Sequence, residues 1–290
     1  MVAPALGDAL GPRARRRAAV ASVAAAAAIG FVIFVAVRRF ADAGQFERRL
    51  WEPFLRPEVH RFLWNGLVNT LKAASIALVL ASLLGIVLAL GRLSRPLVLR
   101  TVSRSYVEFF RGFPLLLLIV FGFFTLPRLG IGLNRFWALV IALTAYNGAV
   151  LGEIFRAGIL SLDRGQNEAA EALGMRRGQS MRFVILPQAF RRMTPTIVSQ
   201  FVTLLKDTSL GFVIGYEELL RTGQIAGEFF RNSLQFLIAV SVVFFVVNFT
   251  LSRIARRLEL RQRRRYKAGT IEVAGPEDLV AAGLELGKGK

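Results

Sequence analysis

The sequence predicts an all-α, polytopic membrane protein with about six transmembrane helices, and three observations carry that prediction. Apolar residues fill 54% of the chain, above the soluble norm of roughly 45–50%. Charged residues are confined to blocks that separate long uncharged runs. None of those runs alternates apolar and polar residues as a transmembrane strand does, which excludes a closed barrel.

The first run, Ala18–Val37, follows the basic block Arg13–Arg17. At 1.5 Å per residue it reaches about 30 Å, enough to cross the hydrocarbon. A secretory signal peptide also places basic residues before an apolar stretch. The length of the run favours a retained span, and no convincing A-x-A cleavage site precedes a soluble domain. Further spans are expected at Gly66–Leu90, Tyr106–Leu126, Phe136–Phe155, Met193–Ile214 and Leu234–Ser252. Lys72 interrupts the second near one end, where a lysine snorkels to the interface.

Six crossings put both termini on one side, and positive charge selects that side. Arginine accumulates in Arg13–Arg17, Arg92–Arg104, Arg156–Arg192 and Arg253–Lys267, while the alternate loops are poorer in it. The positive-inside rule therefore predicts that both termini face the cytoplasm. The segment Arg38–Arg61 dissents, with six arginines among Asp42, Glu47, Glu52 and Glu58. The same rule, with attraction to anionic lipid headgroups, accounts for the net charge of +19 without a nucleic-acid partner.

Several chemistries are excluded. The chain has no Cys, and its one His, His60, lies in a charged loop. Disulfides, thiolate or His-rich metal sites and His-based triads are therefore not expected. The ending "GKGK" (Gly287–Lys290) lacks the Ser or Thr and the upstream glycine of a P-loop. No cofactor is expected on this chain, and beyond Ala268 a loosely ordered tail is expected.

One loop departs from the membrane pattern: "GQNEAAEALGMRRGQSMRFVILPQAF", Gly165–Phe190. Asn167 is a candidate cap for a helix whose first turn holds Glu168 and Glu171, favourable beside the positive end of the dipole. Ala169, Ala170 and Ala172 favour helix and leave a smooth surface. Gly174 then suits a left-handed C-terminal position. A second amphipathic helix should follow, with Met181, Val184 and Ile185 on the apolar side and Arg176, Arg177 and Arg182 in water, halted by Pro187. Pro195 is placed to bend the next span.

Glu168-Ala169-Ala170, Gly174 and Ile185-Leu186-Pro187 resemble the "EAA…G…I-x-LP" signature of binding-protein-dependent ABC importer permeases. The resemblance spans about Trp64–Leu260. "NTLKAASIAL", "VEFFRGFPLLLL", "ILPQAFRRMTP" and "LLKDTSLGFVIG" are similar to the polar amino acid branch. "TAYNGAVLGEIFRAGI" and "IGYEELLRTGQ" lean towards glutamate permeases of GC-rich Gram-positive bacteria.

The resemblance implies residues 63–260 as the permease domain, with a five-helix core and a cytoplasmic coupling helix. Residues 1–62 then hold an N-terminal tail, the added first span and an extracytoplasmic linker, and residues 261–290 form a basic tail. It also implies a bacterial cytoplasmic membrane location and a dimer of ABC ATPase subunits that binds ATP and Mg. A second permease, the same chain or a different one, and an extracytoplasmic amino acid-binding protein complete the implied assembly. Glu168, Ala169, Ala170, Gly174, Leu186 and Pro187 would couple to the ATPase.

Charges inside spans are costly and mark functional candidates. Lys206 and Asp207 are such a pair; a zwitterion needs a cation near its carboxylate and an anion near its ammonium. A structural bridge between helices is the alternative. Tyr146 and Asn147 in the fourth span, with Gln200, Thr203 and Ser209 in the fifth, extend the candidate substrate path. Glu153 with Arg156, and Glu108 with Arg111, are spaced for ion pairs or gating. The segment Gly215–Arg231 is amphipathic and suits either a docking surface or an interfacial helix. A membrane anchor or sensor that recruits a partner through the loop would explain the loop, but not the polar residues inside the spans.

Overall fold

The computed structural model describes residues 11–269, which are helical almost throughout, with no strand among them. Helix α1 (Pro12–Asp42) is followed by a short α2 (Arg48–Trp51) and the long α3 (Pro57–Leu93). Then come α4 (Leu97–Gly112), α5 (Leu115–Thr125) and α6 (Arg135–Leu160). The loop carries α7 (Arg164–Ala172) and α8 (Arg177–Gln179), before α9 (Leu186–Asp207). Helices α10 (Leu219–Phe230) and α11 (Ser233–Gly269) complete the described residues. Among the described residues five helical runs are long and apolar enough to cross a membrane, or six if the bent pair α4–α5 counts as one. Helix α11 runs past the boundary expected at residue 260, and the remainder of the expected tail lies outside the described residues.

Helices α3 and α6 form the centre of the bundle. They run parallel: Lys72 meets Phe136 near one end, Gly85 meets Gly152 in the middle, and Arg92 meets Glu153 at the other end. The buried face of α3 is a series of small residues, including Thr70, Ala73, Ala74, Ala77 and Ala81. A Cβ on Gly85 would lie 3.0 Å from the Gly152 amide nitrogen. Packing this close is how apolar helices associate where lipid offers no hydrophobic contrast. Helix α9 returns antiparallel to α6, with Met193 against Gly158 and Gly211 against Leu139. Lys72 is mid-helix because α3 starts at Pro57, yet it stands level with the first turn of α6, its Nζ 5.4 Å from the Phe136 ring centre.

Four expectations are corrected. The third span is not continuous: α4 and α5 are bent by 101°. Pro114 lacks an N–H and forces Phe113 into extended backbone, with ψ 133°, so the helix ends at Gly112. Pro187, by contrast, halts nothing. The turn before it, Ser180–Ile185, is π-helical and leads straight into α9; the wider turn relieves the clash between the proline ring and the preceding carbonyl. Helix α7 begins before Asn167 and is capped by Asp163, whose carboxylate accepts from the Gly165 amide at 2.9 Å. Finally, Glu108 pairs with Arg104, one turn back, at 2.7 Å rather than with Arg111.

The linker after α1 is docked. Asn232 and Gln235, at the start of α11, donate to the carbonyls of Leu50 and Gln45 at 2.6 and 2.8 Å. Phe54 and Phe236 lie 4.5 Å apart by ring centre. Nearby, Glu218 caps α10 by accepting from the Leu220 and Arg221 amides at 2.8 and 2.7 Å. Burial pushes its carboxyl up to about 7, against the pull of those two amides.

Candidate functional site

Helix α9 is built inside out for a lipid environment. Ala189, Met193, Val202, Leu204 and Leu205 are buried against the bundle. Its exposed positions from residue 192 to residue 206 are Arg192, Thr196, Ser199, Thr203 and Lys206. The intervals of four and three keep them on one face. Every exposed side chain in that interval is polar, within a run apolar enough to span a membrane.

The hydroxyls alone would be tolerable in lipid, since they turn back to their own helix. Thr203 donates to the Ser199 carbonyl at 3.4 Å, and Ser209 to that of Lys206 at 2.6 Å. Lys206 is the decisive member. Among the described residues no carboxylate lies within ion-pair distance of it, and an ammonium facing hydrocarbon is costly. The face therefore needs water, solute or another polar chain beside it. Asp207 is half-buried at the last turn of α9, after which the backbone tightens into 3-10 geometry over Thr208–Ile214.

The candidate substrate-path residues do not form one cluster. Asn147 is fully buried. It accepts from Gln200 Nε2 at 2.8 Å and donates to the Leu143 carbonyl at 3.0 Å. Its polar atoms tie α6 to α9 rather than facing an open space. Gln200 is the other half of that tie. Tyr146 is half-buried on α6. Thr203, Lys206 and Ser209 remain with the polar face of α9 and its continuation.

At the α7 end of the bundle, Glu153 gathers two arginines. Arg156 Nη2 stands 2.5 Å from Glu153 Oε1, and Arg92 from α3 binds the other carboxylate oxygen. Sequence spacing found the first partner. The second required the parallel pairing of α3 and α6, for which no local signal exists.

The loop forms an exposed ledge beside this ion cluster. Ala170 is buried against the π-helical turn, while Glu168 and Ala169 are exposed. Gly174 ends the motif at φ +74° with open space around it. Leu186 is half-buried and Pro187 exposed at the start of α9. Leu173, absent from the sequence-derived candidates, is 78% exposed. An apolar residue just before the capping glycine of a polar helix was the signal for it.

A multi-helix bundle with one span polar on its outer face, and a capped helical ledge at that span's root, has the architecture of a solute-conducting membrane component. Residues 81–264 match the family described as binding-protein-dependent transport system inner membrane component. The probable glutamine ABC transporter permease protein GlnP of Bacillus subtilis is 44% identical over 69% of this chain and 94% of its own length. The glutamate transport system permease protein GluD of Corynebacterium glutamicum is 39% identical over 83% of this chain and 90% of its own. The crystal structure of an amino acid ABC transporter with histidines superposes with a TM-score of 0.66. It shares 33% identity and covers 70% of this chain and 95% of its own. The chain belongs to the binding-protein-dependent transport system inner membrane components and is a multi-pass membrane protein.

Proposed function

We propose that this chain is the permease subunit of an ABC importer for a polar amino acid, glutamate or glutamine in the first instance, and that it works by alternating access. The observation that carries the reading is the polar outer face of α9, which gives a solute a route across the membrane. The names of the relatives supply the class of cargo. Lys206 offers a cation to the carboxylate of an amino acid passing along that face, with the Thr203 and Ser209 hydroxyls beside it.

In this reading α7 is the coupling helix. Glu168, Ala169, Ala170 and Gly174 meet the ATPase, and Leu173 adds an apolar contact. ATP and Mg bind on that separate ATPase dimer. A second permease covers the polar face of α9, and an extracytoplasmic binding protein delivers cargo at the end where α10 lies. The dense arginine around α7, from Arg156 to Arg192, supports a cytoplasmic position for that end and for both termini. The Glu153 cluster sits on the cytoplasmic side of the path and holds α3 to α6 there as a gate. Glu108 and Arg104, both exposed, are a surface pair.

The test is uptake of labelled glutamate into cells with and without the chain, challenged by unlabelled glutamate, aspartate, glutamine, arginine and histidine. Loss of uptake on deletion, with competition chiefly by glutamate and aspartate, is expected for a glutamate carrier. Competition chiefly by glutamine moves the cargo to glutamine. Unchanged glutamate uptake on deletion removes the glutamate assignment and moves the search to other polar amino acids.

A further inference from the structure

We propose that Gln166 and Gln188 are positioning residues that lock α7 to the root of α9, so that the two move as one rigid lever during transport. The inference rests on the reading of α7 as the coupling helix. Helix α7 has nine residues, too few to be stable by itself in water. It is nevertheless defined at both ends, by Asp163 at the start and by Gly174 at φ +74° just beyond its end.

Among its described side chains Ala170 is buried, 3% exposed, and the helix packs against the π-helical turn. Gln166 lies one turn earlier on the same face, and its Oε1 accepts from Gln188 Nε2 at 2.8 Å. Arg192, one turn beyond Gln188, donates to the carbonyl of Ser161 at 2.8 Å, where the loop leaves α6.

Gln188 is on the face of α9 that continues through Arg192, Thr196, Ser199, Thr203 and Lys206. One continuous helix, about 33 Å long at 1.5 Å per residue, thus carries the α7 contact near its start and the polar cation at its far end. A displacement of α7 reaches Lys206 along that helix. The π-helical turn, Ser180–Ile185, lies on the other side of the contact. It provides a compliant point that lets the lever swing without dragging the rest of the loop.

The absence of cysteine from the chain makes the test direct. The full chain is reconstituted in proteoliposomes with its ATPase and binding protein, and labelled amino acid imported per ATP hydrolysed is measured. Gln188→Leu is expected to lower that ratio at least fivefold with the ATPase still bound. Gln188→Glu, which accepts from the Gln166 amide once that amide turns over to present its Nε2, should recover most of it. The double variant Gln166→Cys/Gln188→Cys, joined by a short bifunctional thiol reagent, should keep the ratio within twofold of the untreated wild type.

A wild-type ratio in Gln188→Leu overturns the lever, and so does a cross-linked protein that hydrolyses ATP without import, because the contact would then have to open. If Gln188→Leu fails to insert, the cross-linked protein decides. Normal coupled import by Gly174→Asp and Leu173→Glu removes the coupling assignment itself, and the lever with it. Normal import by Gln188→Leu alone removes only the lever.

Discussion

Lys206 is an exposed cation inside a span, and its fold-level cost is the reason to expect a use for it. Replacing it with Met keeps the length and apolar stem of the side chain. Lys206→Met is expected to lower uptake at least tenfold, without lowering the thermal midpoint of the purified protein. Normal uptake at normal abundance would exclude a cargo contact there. Asn147 illustrates the opposite case. Its place in a span made it conspicuous in the sequence, but its partner Gln200 is 53 residues away. No local pattern assigns that pair. Removing a partner from a buried hydrogen bond costs about 1–3 kcal/mol, so Asn147 contributes chiefly to holding α6 against α9. The cap at Asp163 was obscured for a simpler reason. Asp163 and Asn167 both suit a helix start, and the backbone begins its turn at the earlier one.

Among the elements, two prolines had opposite consequences. Pro114 ends α4 and turns the chain by 101°, whereas Pro187 sits in the first turn of α9 behind a π-helical turn. Composition does not separate them, because the choice depends on what the following segment packs against. Helix α10 gives a measurable case of element chemistry. Its cap, Glu218, is fully buried, and its carboxyl is raised from 4.5 to about 7 by desolvation. A raised acid binds more protons in the folded state, so its contribution to stability is present below about 4.5 and is lost as pH rises through about 7. The thermal midpoint should therefore fall by a few degrees, on the order expected for a small change in folding free energy, between pH 5 and pH 8. Glu218→Gln, which keeps an oxygen acceptor for the two amides, should flatten that slope. An unchanged slope would show that the carboxyl does not titrate in this range.

At the scale of the molecule, α1 stands apart from the rest of the bundle. None of its apolar 18-residue window is buried, and Val20, Val23, Phe31 and Val32 are each about two-thirds exposed. The linker that follows it is anchored independently through Gln45 and Leu50. Deletion of residues 1–42 is therefore expected to leave the thermal midpoint of the purified protein within about 2 °C of wild type. A large drop would mean that α1 folds against the core.

The all-α class, the approximate number of spans and the exposed loop helix are legible in local stretches of sequence. Each depends on residues close together: apolar runs of spanning length, a glycine at a left-handed turn, a block of arginines. Packing between helices sets which polar residues stay outside and which are consumed within the bundle. It made Lys206 part of an open polar face, turned Asn147 into a helix tie, gave Glu153 a second arginine from α3 and joined Gln166 to Gln188. Those outcomes follow from the parallel approach of α3 and α6 and the antiparallel return of α9. Contacts between helices distant in sequence set them, and no local periodicity records such contacts.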